Sequence, residues 1–465
     1  MESRTTKSES EVQFLRKDEE QRSYLQRSKL SKVEPEEYGV NARWARGTVD
    51  ENKRSRKMNY TRLYSQTAKM TTKSAIREML KLADRPEVIS FSGGWPSPSL
   101  FPVDDLKRLM DKVLDEQGRK ALHYSLAEGE TALKQEIIRY MARDHIHAEP
   151  ENILILSGSQ QGIDMLPKAF ADRGDIIFLE TPSYVGAIQA FNNYGARMIP
   201  VATDGAGMDP KALAAAIGKC RRKGDGRRMR MIYLVPDFQN PSGITMSEER
   251  RIGVLEVAAR NNLLVIEDAP YRHLRFNGKT VPSLYALDKK ENVITLFSFS
   301  KLLVPGFRIG WLVGPKPIVD LFVTLKQSID LCSPALLQQV AAEYMKEGLM
   351  DKYLPTFIDS YREKRDVMLQ AMDNAIPKIA GLEWTRPDGG FYIWITLPSY
   401  MDAAELFRRA VKENVAFVLG SAFHPQGKLK NCFRLNFTFA SSEDIREGIR
   451  RLGKALTEYS KNVRD

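Results

Sequence analysis

The chain has 465 residues, 43% of them hydrophobic and 28% charged. That is enough apolar material for a large core and two domains, and it excludes a staple-dependent mini-protein or a wholly disordered chain. The formal net charge of +11 is local: residues 1–59 hold 14 basic and 11 acidic residues, net +3, and residues 219–230 hold seven basic and one acidic, net +6, which excludes a general nucleic-acid-binding surface.

In chain order, residues 1–59 are highly charged and poor in aliphatic side chains, and are expected to form a flexible extension or to pack on the body through Phe14, Leu15, Tyr24, Leu25 and Trp44. From Tyr60 the composition becomes that of a globular body. Apolar runs at Ile153–Leu156, Ile176–Leu179, Ile232–Val235, Leu263–Ile266 and Val293–Phe297 predict strands buried on both faces. Helical patterns at Gln160–Phe170, Pro210–Ile217 and Ser247–Asn261 separate them, so an α/β domain with a mostly parallel sheet is expected. The basic stretch 219–230, with Gly224, Asp225 and Gly226 at its centre, is expected to be a solvated loop. The end of the chain reads as a smaller α+β domain. A long helix plus its continuation is expected over Asp351–Ala380, strands near Gly390–Leu397 and Cys432–Phe437, and helices near Ala403–Glu413 and Ser442–Tyr459.

Cys220, Cys332 and Cys432 are widely separated and the five histidines include no HExxH pattern, so neither a metal site nor a disulfide framework is expected. No apolar run approaches the ~20 residues of a membrane span, and the charged N-terminus lacks a signal-like apolar segment; a cytoplasmic, membrane-free setting is the expectation.

Ligands of α/β sheets gather at the carboxyl ends of strands. Four groups fall there: Ser157–Gln161, Pro236–Gly243, Glu267–Tyr271 and Ser298–Lys301, the last followed by Pro305–Gly310. A lysine at a strand end can form an imine with an aldehyde. Ser298, Ser300 and Arg308 are suited to a phosphate, and an acid at another strand end to a protonated ring nitrogen.

The ordered set SxSK…PGxRxG, with EDxxY and QNPSG upstream, resembles the fold-type I pyridoxal-phosphate enzymes of the class I/II aminotransferase superfamily. Within it the chain is similar to the aminoadipate/kynurenine aminotransferase group, over about Tyr60 to Lys461. The resemblance implies a large domain with a mostly parallel seven-stranded sheet covered by helices, plus a smaller α+β domain. It also implies this partition: extension 1–59, an N-terminal segment 60–96 contributing to the small domain and substrate site, a large domain 97–345 and a small domain 346–465. By the same resemblance Lys301 would bond the cofactor and serve as the proton-moving base, and Asp268 would face the pyridine nitrogen. Asn240 and Tyr271 would hold the phenolic oxygen, Tyr184 would stack on the ring, and Ser159, Gln160, Ser298, Ser300 and Arg308 would grip the phosphate. Tyr124 would reach the cofactor of a second subunit in a homodimer with shared sites. Arg434 would bind the substrate α-carboxylate, joined by Asn240, with Gly94 near the substrate and Arg77 matching an arginine tied to side-chain carboxylate recognition. Trp95 would add aromatic surface near the pocket.

The implied activity is ping-pong transfer of an amino group from an L-amino acid (aminoadipate, aromatic or branched) to a 2-oxo acid such as 2-oxoglutarate. A β-lyase uses the same cofactor and stays open. An aminotransferase-like transcription regulator would need an N-terminal DNA-reading domain, and residues 1–59 lack winged-helix periodicity.

Overall fold

Strand-forming residues in the body alternate between two separate cores, and this explains why the central strands read as apolar throughout. The computed structural model describes residues 58–70 and 86–462. Two compact units divide the chain, Met1–Leu63 and Tyr64–Asp465; the described part of the first holds one 3-10 turn, Tyr60–Leu63.

In the second unit, strand β1 (Ile89–Ser90) precedes the strands of a large sheet: β2 (Ile153–Leu156), β3 (Ile176–Thr181), β4 (Arg197–Asp204), β5 (Gly207–Met208), β6 (Met229–Leu234), β7 (Leu264–Asp268), β8 (Val293–Ser298) and β9 (Gly310–Val313). Their order is β2-β9-β8-β7-β6-β3-β4-β5. The run β4-β3-β6-β7-β8 is parallel, β9 is antiparallel to both β8 and β2, and β5 is antiparallel to β4. Seven strands thus form the expected sheet, and the two-residue β5 is added at its edge.

Ile177, Leu179, Met231, Tyr233 and Ile266 face one core, while Ile176, Phe178, Ile232, Leu234 and Val265 face the other. Side chains of a strand alternate between faces, so a sheet covered on both sides needs apolar residues at every position. The helices Ser159–Phe170, Val185–Asn193, Pro210–Arg222 and Glu248–Asn261 supply the cover as crossovers.

A second sheet follows, built from β10 (Glu383–Trp384), β11 (Tyr392–Thr396), β13 (Val418–Leu419) and β14 (Cys432–Asn436) in the antiparallel order β10-β11-β14-β13. The remaining strand, β12 (Val415–Ala416), pairs in parallel with β1. Phe91 N donates to Ala416 O at 2.8 Å and Asn436 N donates to Phe91 O at 2.9 Å, which lays the segment after β1 along this second sheet.

Three expectations need correction. The long helix is Leu349–Ala375, not Asp351–Ala380. It stops where Ile376 turns extended, because Pro377 disfavours helical geometry in the residue before it. The helix from Pro210 runs to Arg222, so 219–222 of the basic stretch are helical and not loop. Cys220 continues the buried stripe of Leu213 and Ile217, and cations suit a helix carboxyl end. Arg228 and Arg230 of that stretch both pair with Asp175, at 3.3 and 2.6 Å. β4 and β9 were not expected, since β4 mixes buried and exposed positions and β9 continues a glycine-bearing turn.

One buried ion network fixes the loop after β6. Arg251 has no exposed side-chain surface. Its Nη2 donates to Asp237 Oδ1 at 2.6 Å, its Nη1 to Pro282 O at 3.0 Å and its Nε to Met246 O at 3.1 Å. Arg272 Nη1 donates to Asp237 Oδ2 at 3.1 Å and its Nε to Asp144 Oδ2 at 2.9 Å. Burial pushes the Asp237 carboxyl up, but the guanidiniums of Arg251 and Arg272 hold it below its ordinary value. Arg251→Met removes one of the two guanidiniums that bind the buried Asp237 and leaves Pro282 O and Met246 O without their donor, and is expected to cost about 3–5 kcal/mol. Equilibrium unfolding in urea measures this, with a lowered midpoint expected.

Candidate active site

The carboxyl ends of β2, β6, β7 and β8 converge on a cavity of about 460 Å³. Twelve of the fourteen residues singled out from the sequence line it: Gly94, Ser159, Gln160, Tyr184, Asn240, Asp268, Tyr271, Ser298, Ser300, Lys301, Arg308 and Arg434. Tyr124 is not among them. It is 77% exposed and lies in a separate surface groove with His123. Arg77 lies outside the described residues. Trp95 is not part of the wall either. Its ring packs edge-on against Phe439 at 5.5 Å, and its carbonyl accepts from Thr438 Oγ1 at 2.7 Å.

One corner is built for an anion. Ser159 opens the twelve-residue helix Ser159–Phe170, whose first amides have no helical acceptor. Gly158 precedes it at φ +80, where a Cβ would collide with the Arg308 guanidinium. A Cβ at Gly310 would stand 2.6 Å from Phe297 O and 2.8 Å from Ser159 N. Two glycines therefore let the helix start, the end of β8 and Arg308 close on one point. Arg308 Nη1 donates to Ser300 Oγ at 3.3 Å, and Ser300 N donates to Ser298 Oγ at 3.1 Å.

At the end of β7, Asp268 Oδ2 accepts from Tyr233 Oη at 2.6 Å, while Oδ1 is buried without a partner. Burial pushes the Asp268 carboxyl up to about 7, against the opposing Tyr233 hydrogen bond. A cation beside Oδ1 would remove that penalty. Lys301 Nζ donates to Gly94 O at 2.7 Å. Burial, then the Arg308 and Arg434 charges, pull its amine down to about 8.

Arg434 is buried, and among the described residues no carboxylate pairs with it. Its Nη1 donates to Asn240 Oδ1 at 2.8 Å and its Nη2 to Ser92 O at 2.7 Å, and its Nε has no partner. It lies 4.2 Å over the Tyr392 ring and 5.1 Å over that of Phe423. Tyr184 Oη donates to Gln160 Oε1 at 3.1 Å, and Tyr271 Oη stands 3.1 Å from Tyr392 Oη. Tyr233 and Tyr392 were missed, because both sit inside runs that read as core strands. The available signal was that a buried tyrosine needs a partner for its hydroxyl.

These residues fit pyridoxal 5'-phosphate. The cavity holds an amine for its aldehyde, an anion corner for its phosphate, and a buried acid with one free oxygen for its ring nitrogen. Among the described residues no cluster of histidine, cysteine, aspartate or glutamate is arranged for a metal ion, and no helix is long and apolar enough to cross a membrane.

Comparison with known proteins agrees with this geometry. The family model for aminotransferase class I and II matches residues 98–452. The aromatic-amino-acid aminotransferase 1 of Thermococcus litoralis is 38% identical over 405 residues, covering 87% of this chain and 96% of its own. The crystal structure of a multiple substrate aminotransferase from Thermococcus profundus is 39% identical with a TM-score of 0.83, covering 87% of this chain and 100% of that one. The α-aminoadipate aminotransferase of Thermus thermophilus, complexed with N-(5'-phosphopyridoxyl)-L-leucine, is 37% identical with a TM-score of 0.79, at coverages of 87% and 100%.

A pH dependence follows from Lys301. Only its neutral amine is nucleophilic. With a pKa of about 8, about a tenth is neutral at pH 7, against roughly three parts in ten thousand for an ordinary lysine. Covalent uptake of pyridoxal 5'-phosphate by the cofactor-free protein should rise with pH and level off above about pH 8. Borohydride fixation of the label on Lys301 at a series of pH values measures this.

Proposed function

The chain belongs to the aminotransferase class I and II family, and on that premise we propose that it moves an amino group from an L-amino acid to a 2-oxo acid such as 2-oxoglutarate, by a ping-pong cycle. Its enzymatic class is that of a pyridoxal-phosphate-dependent aminotransferase. The observation that carries the reading is the buried, unpartnered Asp268 Oδ1 in the same cavity as the amine of Lys301. The proposed donors are aminoadipate, aromatic and branched amino acids. Supporting that breadth are the polar and aromatic walls formed by Tyr184, Tyr271 and Tyr392 beside Arg434.

Bound in this cavity, pyridoxal phosphate would supply an electron sink for the substrate's Cα electrons. The protein's residues do the rest. Ser159, Gln160, Ser298, Ser300 and Arg308 would hold its phosphate, Asp268 its ring nitrogen, and Asn240 and Tyr271 its phenolic oxygen, with Tyr184 against the ring. Arg434 fixes the substrate carboxylate as a fork, with Asn240 already orienting its Nη1. Lys301 Nζ would take the proton from the substrate Cα, a role suited to an amine whose pKa burial lowers toward the working pH. Gly94 lies beside the substrate, and Arg77 is assigned to a side-chain carboxylate.

The same reading makes the protein a homodimer in which Tyr124 reaches the other subunit's site. Leu122 and Leu126 beside it are 71% and 66% exposed, an apolar surface suited to burial against a partner. It divides the body into a segment 60–96, a large domain 97–345 and a small domain 346–465. The proposed setting is the cytoplasm.

Lys301→Ala should lower transamination by at least about 100-fold while phosphate-anchored cofactor still binds, as followed by equilibrium dialysis. Arg434→Lys keeps the charge but loses the fork, and should raise KM for the donor by roughly 30-fold, about 2 kcal/mol, with a smaller change in kcat. A panel of amino donors with 2-oxoglutarate ranks the substrates. Absence of turnover with every aminoadipate, aromatic and branched donor would overturn the proposed range.

A further inference from the structure

Tyr392 stands where three functional groups meet. Its Oη is 3.1 Å from Tyr271 Oη, with the two rings edge-to-face at 5.7 Å. Its ring face carries the Arg434 guanidinium at 4.2 Å. A Cβ at Gly94 would stand 2.6 Å from its hydroxyl, so the glycine whose carbonyl accepts from Lys301 also leaves room for this oxygen. Tyr392 is buried at 1% exposure and lines the cavity.

Two phenols in contact share one hydrogen bond, and either can donate. If Tyr392 donates, the Tyr271 proton is left for the cavity. If Tyr271 donates, only its lone pairs are offered there. The guanidinium over the Tyr392 ring is attracted to its face and fixes the ring, and with it the hydroxyl, beside Tyr271. Around the pair the charged and titratable groups are Arg434, Tyr184 and, through Gly94, Lys301. Burial pushes Tyr271 far above its ordinary value, so it keeps its proton.

We propose that Tyr392 is a positioning residue that acts through Tyr271, donating to its oxygen so that the Tyr271 proton is directed at the phenolic oxygen of the cofactor. The proposal rests on the pyridoxal-phosphate reading above. A hydroxyl that receives a hydrogen bond is itself a better donor. Removing the Tyr392 hydroxyl weakens the stabilisation of negative charge on the cofactor oxygen and disfavours the deprotonated chromophore.

The test is Tyr392→Phe in the cofactor-loaded protein, which keeps the ring under Arg434 and removes only the hydroxyl. The pH midpoint of the visible cofactor band should rise by roughly half to one unit. kcat should fall roughly three- to tenfold while KM for the donor changes less than about twofold. In a Tyr271→Phe background the same substitution should leave the midpoint unmoved, since the path through Tyr271 is already cut. A cofactor band in the wild type with an unmoved or lowered midpoint in Tyr392→Phe overturns this role alone. An equal shift in the Tyr271→Phe background also overturns it. A wild type with no cofactor band and no label on Lys301 overturns the cofactor reading, and this role with it.

Discussion

Three ionisable groups without protein counter-charges shape the site, Asp268 and Arg434 buried and Lys301 half-buried. Isolating a charge in this way opposes folding, and a protein tolerates it only where the surroundings are rigid. Each group is displaced toward its neutral form by the same cause, burial. The arrangement is unfavourable for the protein alone and favourable for a ligand that brings the matching charges. A protonated ring nitrogen would answer Asp268 and a carboxylate Arg434, while an aldehyde would take up the Lys301 amine.

The rigidity has an identifiable source. β6, β7 and β8 are buried on both faces, so their carboxyl ends cannot slide without moving two cores. The loops leaving β6 and β7 are then tied together by Asp237, which binds Arg251 on the crossover helix and Arg272 directly after Tyr271. Asn240 and Tyr271, three and thirty-four positions from Asp237, inherit their places from that one carboxylate. At the anion corner the same function falls to absent side chains, since Gly158 and Gly310 allow a contact that any Cβ would block.

Most of the site was legible because its residues stand in a fixed order at strand ends, where alternation and turn chemistry are strong signals. Lys301, Ser298, Ser300 and Arg308 stand out in this way, while Asp268 and Asn240 gain their roles only through the resemblance. Tyr233 and Tyr392 do not stand out, because periodicity marks a buried aromatic as core whether or not its hydroxyl has a task. β5 was too short to leave a pattern, and the run from Pro305 to Val313 hid β9 behind its turn. The end of the helix at Arg222 was obscured by the charges that follow its last buried residue, Cys220. Tyr124 is legible only through the resemblance, since nothing in a single chain gives an exposed tyrosine a destination.

The basic stretch 219–230 lies at the amino end of β6, and the cavity lies at its carboxyl end. Six residues of strand separate them by ~20 Å. At physiological salt the charges act over about 8 Å. The cavity therefore lies beyond the reach of these charges, two of which, Arg228 and Arg230, are already paired with Asp175.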